Sequence, residues 1–314
     1  MTNSQDATSD YLEAYLSGAQ FHVVRFNTDV DLYSTDFTFS KECQVVSWLS
    51  ESLQPGEISS VVFRRPKPFK PPVEGNHFYS AHAADEWAEA WEGFLAQVPF
   101  RKWINHPSRN FSASHKIDQL IKASHSGFRV PESLITNNPQ KALEFFRAQR
   151  NGVIIKPLAS GFIERTDPKE DTVVYTVELE EKNLPLLQHL RTCPVLFQEK
   201  IKKYLDVRVT VVDEEIVAIG LKGLEQDGTQ RLDIRRNNML EVEYIPLTVP
   251  DRIRDAICKI MMLYELRFAA IDFAIDDRGT WVFFEVNPNG QWAWLDLEGV
   301  ASIATMFVNS LESK

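Results

Sequence analysis

Two carboxylates set in apolar surroundings are the first residues whose placement demands chemistry. Asp272 lies in the run AAIDFAI and Glu285 in WVFFEV, with Asn287 two positions further on. Both runs alternate like strands, and Asp277-Arg278-Gly279-Thr280 between them reads as a turn. Side chains of a strand alternate faces, so Ala270, Asp272 and Ala274 share one side, and Trp281, Phe283, Glu285 and Asn287 share one side of the next strand. If Asp276 pairs with Trp281, Asp272 falls opposite Glu285, with Cβ atoms about 5 Å apart. Opposed like charges destabilise a strand pair, and burial makes an unpaired charge worse. A hard divalent cation resolves the conflict: Asp, Glu and an Asn oxygen suit magnesium, and phosphates complete its octahedron. Protonation of one carboxylate, or an arginine partner for each, would resolve it as well.

The candidate cations lie further back in the chain. Lys156 ends the strand-like run VIIK and precedes Pro-Leu-Ala-Ser-Gly. A lysine leaving a strand there can meet a phosphate as a point charge, with the amides of Ala159, Ser160 and Gly161 adding donors. A lysine that merely snorkels fits the same residues. The chain has neither G-x-x-x-x-G-K-[ST] nor G-x-G-x-x-G, which removes the P-loop and Rossmann readings. Lys116 falls in the first turns of a capped helix, ordinarily a solvent-facing place. Gln198-Glu199-Lys200-Ile201 runs from a strand into a short connector whose backbone could pair with an adenine edge. Asp206 and Arg208 share one face of the following strand, as phosphate-site residues or as an ordinary surface ion pair. Arg235-Arg236-Asn237-Asn238 is either a bidentate binder of phosphate or carboxylate, or a solvated loop.

These residues need elements to hold them. The 314 residues, 44% hydrophobic and 25% charged, describe a globular chain with room for two or three subdomains. A net charge of -10 argues against non-specific nucleic-acid or anionic-membrane binding. Cys43, Cys193 and Cys258 are too scattered for a disulfide framework or a zinc site. The polar, acidic N-terminus and the lack of a membrane-length apolar run lead us to expect a soluble, cytoplasmic protein.

Residues 1–20 read as a loosely held lead-in with room for a short helix. FHVVRF (21–26) and ISSVVF (58–63) read as strands, and 83–97 as a helix. Asn105-His106-Pro107 breaks the chain and marks a boundary. A helix is expected over 114–126, with Ser112 or Ser114 as cap, Ile117, Leu120 and Ile121 on one face, and Gly127 past its end. Another opens at Asn138-Pro139 and runs through Ala148. VIIK (153–156), TVVYTV (172–177) and VLFQEKI (195–201) read as strands. VRVTVV and IVAIGL read as a hairpin about Asp213-Glu214-Glu215, followed by a helix over 250–264. The sum is an α+β chain of several subdomains.

In this order the parts resemble the ATP-grasp superfamily: Lys116, Lys156, the 198–201 connector, Asp206-x-Arg208, Arg235-Arg236-Asn237 and Asp272…Glu285-x-Asn287. FFEVNPNGQWAW narrows the resemblance to the maturases of microviridin-type peptides, the graspetide synthetases. RFNTD (25–29), VVFRRP (61–66), WINHP (103–107) and VPESLITN (130–137) are similar to that family too.

The resemblance implies an ATP-grasp fold in three parts: a pre-ATP-grasp domain (1–108) that reads a peptide, a central subdomain (109–197) and a C-terminal subdomain (198–314). It implies ATP and Mg2+ as cofactors. Lys116 and Lys156 would contact phosphates, with Ser160 and Gly161 in a loop over them. Gln198, Glu199, Lys200 and Ile201 would line the adenine, and Asp206 would hold the ribose. Asn237 would sit by the triphosphate, and Arg208 and Arg235, with Lys156, would act on the transferring group. Asp272, Glu285 and Asn287 would hold magnesium. The single Gly161 departs from relatives whose phosphate loop has more glycines. The implied activity is activation of side-chain carboxylates of a precursor peptide, bound through its leader, to form ester or amide macrocycles, by a homodimeric enzyme. Glutamate addition to a protein tail, or a non-catalytic nucleotide-binding regulator, are the rival readings.

Overall fold

The computed structural model describes residues 1–31, 35–40, 44–48, 51–71, 77–159, 161–163, 172–236 and 239–312. The chain opens with α1 (Ala7–Gly18), then an antiparallel sheet of β1 (Thr35–Phe39), β2 (Gln44–Trp48) and β3 (Glu51–Leu53). Next come β4 (Val61–Val62), α2 (His77–Leu95) and β5 (Trp103–Ile104), which pairs parallel with β4. Phe26, Val46, Trp91, Phe94 and Trp103 form the core of this part.

Helices α3 (Pro107–Ser112) and α4 (Lys116–Ser126) lead to β6 (Ser133–Thr136), α5 (Pro139–Ala148) and β7 (Val153–Lys156). The short ribbon of β8 (Phe162–Ile163) and β9 (Thr172–Val173) follows, then β10 (Val177–Leu179) and β11 (Val195–Glu199). The antiparallel order is β10-β7-β11-β6, with Ala142, Val153, Leu179 and Phe197 beneath it.

The last sheet carries the site. It comprises β12 (Lys203–Val212), β13 (Glu215–Lys222), β14 (Glu243–Leu247), β15 (Phe268–Asp276) and β16 (Trp281–Asn287), in the order β14-β13-β12-β15-β16. The amphipathic helix α6 (Asp251–Tyr264) precedes β15, and α7 (Ala293–Leu297) and α8 (Ile303–Glu312) close the chain. One face of the sheet, with Leu205, Val207, Val209, Ile271 and Phe273, packs on Ala123 of α4 and Ile257 and Ile260 of α6. At one end of the other face, Val212, Ile219 and Phe268 meet Trp292, Ile303 and Phe307, and α1 adds Leu12 and Leu16. The rest of that second face carries Asp206, Arg208, Asp272 and Glu285.

Local chemistry accounts for several ends. The Asn138 side chain accepts from the Gln140 and Lys141 amides, and Pro139 begins α5. Gly127 stops α4 in the left-handed region at φ 102°.

Other expectations need correcting. Residues 1–20 are not a loose lead-in, because α1 docks in the core. FHVVRF forms no strand; among the described residues only the Thr2–Asn27 bridge is found beside it. Of ISSVVF only Val61–Val62 is strand, and TVVYTV splits between β9 and β10. The α4 cap position is His115, not Ser112 or Ser114. Ile117 and Ile121 are 53% and 52% exposed, and α4 instead buries Gln119, Ala123 and Ser126. Gln119 is drawn inward because its amide donates to Ala113 O and Val286 O and accepts from the Val286 amide. Those bonds orient the helix against β16 where its aliphatic residues alone would have turned it otherwise.

Candidate active site

Register builds the centre of the site. Arg208 on β12 lies opposite Asp272 on β15, and Asp272 lies opposite Glu285 on β16. Three charged side chains thus stand in a row across three strands. The pairing of Asp272 with Glu285 is the expected one, but Ile275, not Asp276, faces Trp281. The register slips between Asp272 and Phe273, leaving Phe284 as an extra residue in β16. The expected single face for Trp281, Phe283, Glu285 and Asn287 is therefore wrong. Trp281 and Phe283 enter the core with Val286, whereas Glu285 and Asn287 take the opposite side.

Each carboxylate has its own cation. Arg208 Nε donates to Asp272 Oδ1 at 2.7 Å, and Arg208 Nη1 to the Gln291 carbonyl at 3.0 Å. Lys116 Nζ, from the first turn of α4, is 3.4 Å from Glu285 Oε2. Burial pushes the Asp272 carboxyl above its ordinary range, with the Glu285 charge adding to the rise and Arg208 opposing it. Burial acts on Glu285 in the same sense, but the Lys116 and Lys156 charges outweigh it and hold that carboxyl low. The row is recessed without being sealed, since the Asp272 side chain keeps 30% of its exposure. Paired cations were one of the readings open for two opposed carboxylates, and in this structure they provide the balance. Asp272 and Glu285, with the Asn287 amide oxygen on the same side, form a set of hard oxygen donors that fits magnesium. Asn287 Oδ1 also accepts from the Asn289 amide at 2.9 Å.

Lys156 reaches the site from the end of β7. Its ammonium sits 4.4 Å from the centroid of the Phe284 ring, and among the described residues no carboxylate lies within ion-pairing distance. Burial lowers its pKa to about 8; Lys203 and Lys116 add to the lowering and Glu285 opposes it. A recessed ammonium among other cations is matched to a polyanion.

The remaining expected residues are placed unevenly. Asp206 shares the Arg208 face, but its carboxylate is engaged by Lys203 at 2.7 and 2.8 Å and by Gln230 at 2.8 Å. Gln198 is buried with its amide on Ser133, inside the sheet. The Glu199 and Lys200 amides are bonded to Glu132 O and Gly152 O, and the Lys200 side chain pairs with Glu178 at 2.6 Å. The Ile201 amide has no hydrogen-bond partner among the described residues, which leaves a donor at the connector. Gly161 accepts from the Val174 amide at 2.6 Å, and a side chain there would strike the Val174 carbonyl. Arg235 is held in a two-point pair with Asp233 at 2.9 and 2.7 Å, beside Tyr175, and among the described residues makes no direct contact with the row. Ser160 and Asn237 lie outside the described residues.

Sequence reasoning missed Lys203 and the polar residues behind the row. Lys203 is an odd number of positions from Asp206, so alternation assigns it to the other face, but a register shift at Tyr204 turns it inward. Behind the row the loop Pro288–Gln291 is held by residues from the first third of the chain. Asn105 Nδ2 donates to Phe268 O and Pro288 O at 2.8 and 3.2 Å. Arg64 donates to Gly290 O and Gln291 Oε1, both at 3.0 Å. The strings VVFRRP and WINHP were singled out only by resemblance, and this contact is what they do.

A sheet with a row of paired charges on one face, a smaller sheet delivering a lysine above it, and a connector between them define an ATP-grasp fold. The chain belongs to the RimK-like ATP-grasp domain family, whose model matches residues 113–311. It is 26% identical over 192 residues to the alpha-aminoadipate–LysW ligase LysX of Sulfurisphaera tokodaii. That match takes in 59% of this chain and 63% of the relative, so it spans under two thirds of the relative's length.

Solved structures extend the likeness over the whole fold. The macrocyclase MdnC of Microcystis aeruginosa MRC, bound with precursor peptide MdnA, superposes with a TM-score of 0.85 at 25% identity, over 99% of this chain and 98% of that one. The Chryseobacterium gregarium RiPP-associated ATP-grasp ligase, in complex with ADP and a leader and core peptide, gives 0.82 at 24%, over 99% and 95%. The macrocyclase MdnB of Microcystis aeruginosa MRC gives 0.79 at 25%, over 99% and 97%. These neighbours agree with the resemblance in the motifs. No described helix is long and apolar enough to cross a membrane.

Proposed function

We propose that the chain is an ATP-dependent, ADP-forming ligase that closes ester or amide crosslinks within a ribosomally made precursor peptide. The observation that carries this reading is the Arg208–Asp272–Glu285 row facing two lysines from separate elements, one of them without a carboxylate partner among the described residues. Likeness to peptide-bound macrocyclases over 99% of the chain supports a peptide acceptor.

Asp272, Glu285 and Asn287 would hold Mg2+, which offsets negative charge on the triphosphate when bound. Lys116 and Lys156 give up their partners here for phosphate oxygens, and the Ile201 amide meets the adenine edge. A side-chain carboxylate of the peptide attacks the γ-phosphorus, and the bond to the bridging oxygen breaks with release of ADP. A hydroxyl or amine of the same peptide then attacks the acyl carbon; phosphate leaves and the nucleophile loses its proton. Arg208, fixed by Asp272 and Gln291, supplies positive charge beside this exchange. In this reading residues 1–108 bind the leader, 109–197 and 198–314 enclose the nucleotide, and the enzyme works as a cytoplasmic homodimer.

The match to a carrier-protein ligase keeps one second reading: addition of an amino acid to a protein or peptide tail. Intact mass spectrometry of a candidate precursor peptide, chosen from short reading frames near the gene that are rich in Thr, Ser or Lys and Asp or Glu, after incubation with enzyme, ATP and Mg2+, separates them. Loss of one water per bond, with equal ADP release, supports the cyclase. An unchanged peptide with ADP formed only when a free amino acid and a tail are supplied would favour the second reading.

A further inference from the structure

The ion pair of Asp6 and Arg64 is the most buried one in the described chain: the two side chains are 0% and 3% exposed. Burial works against the Asp6 carboxylate, but the Arg64 charge and hydrogen bonds from Ser9 and Thr2 outweigh it. A buried pair of this kind is weak evidence of stabilisation, because an apolar replacement often does as well. The direction of the remaining donors is more telling. Arg64 Nε takes Asp6 at 3.2 Å, Nη1 takes the Gly290 carbonyl and Nη2 the Gln291 side chain, both at 3.0 Å. Gln291 is gripped further by Thr8 and by Asp6 Oδ1. Its backbone carbonyl then accepts from Arg208 Nη1 at 3.0 Å, and Arg208 Nε holds Asp272 at 2.7 Å.

We infer that Arg64, resting on Asp6, is a positioning residue that sets Arg208 and Asp272 through the loop at Gly290–Gln291. This rests on the ligase reading and adds to it. Segments near the N-terminus fix the geometry of a site whose ligands all lie beyond residue 115. Gly290 makes the coupling stiff: a Cβ there would fall on the Ala270 Cβ, so the loop lies directly on β15 two residues from Asp272. Movement of the loop therefore moves the carbonyl that orients Arg208, and the carboxylate follows its guanidinium.

The test is the Mg2+ dependence of ADP binding, read by competition with a fluorescent nucleotide, which needs no acceptor. Three variants are compared: Arg64→Lys, the neutral pair Asp6→Asn/Arg64→Gln that strands no charge, and Gln291→Met, which leaves the ion pair intact. For residues that orient metal ligands we expect Mg2+ half-saturation to rise about tenfold or more. ADP binding in EDTA should stay close to wild type, and the variants should remain folded at the assay temperature although their melting temperatures fall with the lost buried hydrogen bonds. Should a folded Gln291→Met or neutral-pair variant match the wild-type Mg2+ curve, the inference is overturned and the ligase reading stands. Should the wild-type chain bind no ADP at any Mg2+ concentration, the ligase reading goes, and the inference with it.

Discussion

Asp272 and Glu285 stand directly opposite each other on neighbouring strands, yet each is matched to a different cation, Arg208 for one and Lys116 for the other. Two acids so close would repel, and the protein divides them between a strand residue and a helix residue. Their roles can be pulled apart on that basis.

Glu285→Gln removes a charge from the proposed magnesium ligands and frees Lys116. Mg2+-dependent ADP formation should fall at least about a hundredfold, since losing a residue that merely orients a metal ligand already reaches that range. The melting temperature should hold, because the group keeps its shape and exposure. A folded variant that turned over at the wild-type rate would falsify the metal role of Glu285.

Lys156 gives a pH signature. Its pKa of about 8 lies below the ordinary lysine value of 10.5, so the unfolded chain holds this proton to higher pH than the folded one. That contribution makes the free protein gain stability as pH rises from about 8 towards 10.5. Bound phosphate favours the charged ammonium and reverses the shift. Nucleotide binding above pH 8 should then take up a proton and weaken as pH rises, measurable by calorimetry in buffers of different ionisation enthalpy. Lys156→Met should abolish the uptake; uptake that persisted would assign it to another group.

Gly290→Ala places a methyl on Ala270. Overpacking of this kind costs about 1–3 kcal/mol and should lower the melting temperature. Ala270→Gly in the same chain makes room and should restore most of it. If the double variant melts no higher than Gly290→Ala, the clash is not the cause.

Asn138→Ala removes the two hydrogen bonds that begin α5, at about 1 kcal/mol. Chemical denaturation should show that loss with ADP formation per folded molecule unchanged.

How far the sequence could be read depended on local rules. The α5 cap, the helix over 250–264 and the two carboxylate strands follow from spacing and alternation, and the structure has them. Alternation failed at Phe284 and at Lys203, where one added residue reverses a strand's faces with no mark in composition. The faces of α4 failed because Gln119 bonds to β16, a contact 167 positions away that periodicity cannot register. FHVVRF has the composition of a strand but, among the described residues, no ladder partner beside it. Asp206 was expected to be open to a ribose; the Lys203 that occupies it is brought there by the shift at Tyr204. Arg64 and Asn105 were visible only as parts of familiar strings, since their purpose lies in contacts with residues near 290.

The extra residue in β16 makes the geometry of the site a matter of counting. Glu285 and Asn287 stand on the side of Arg208 and Asp272, opposite to what strict alternation from Phe283 would give, because Phe284 is left out of the ladder as an extra residue. The faces are set by the bulge that takes Phe284 out of the ladder, whatever side chain stands there. Straightening the ladder with Phe284 kept in it would send an acid and an amide into the core and bring Val286 out to the site, whereas deleting that position would leave a regular ladder with Glu285 still opposite Asp272.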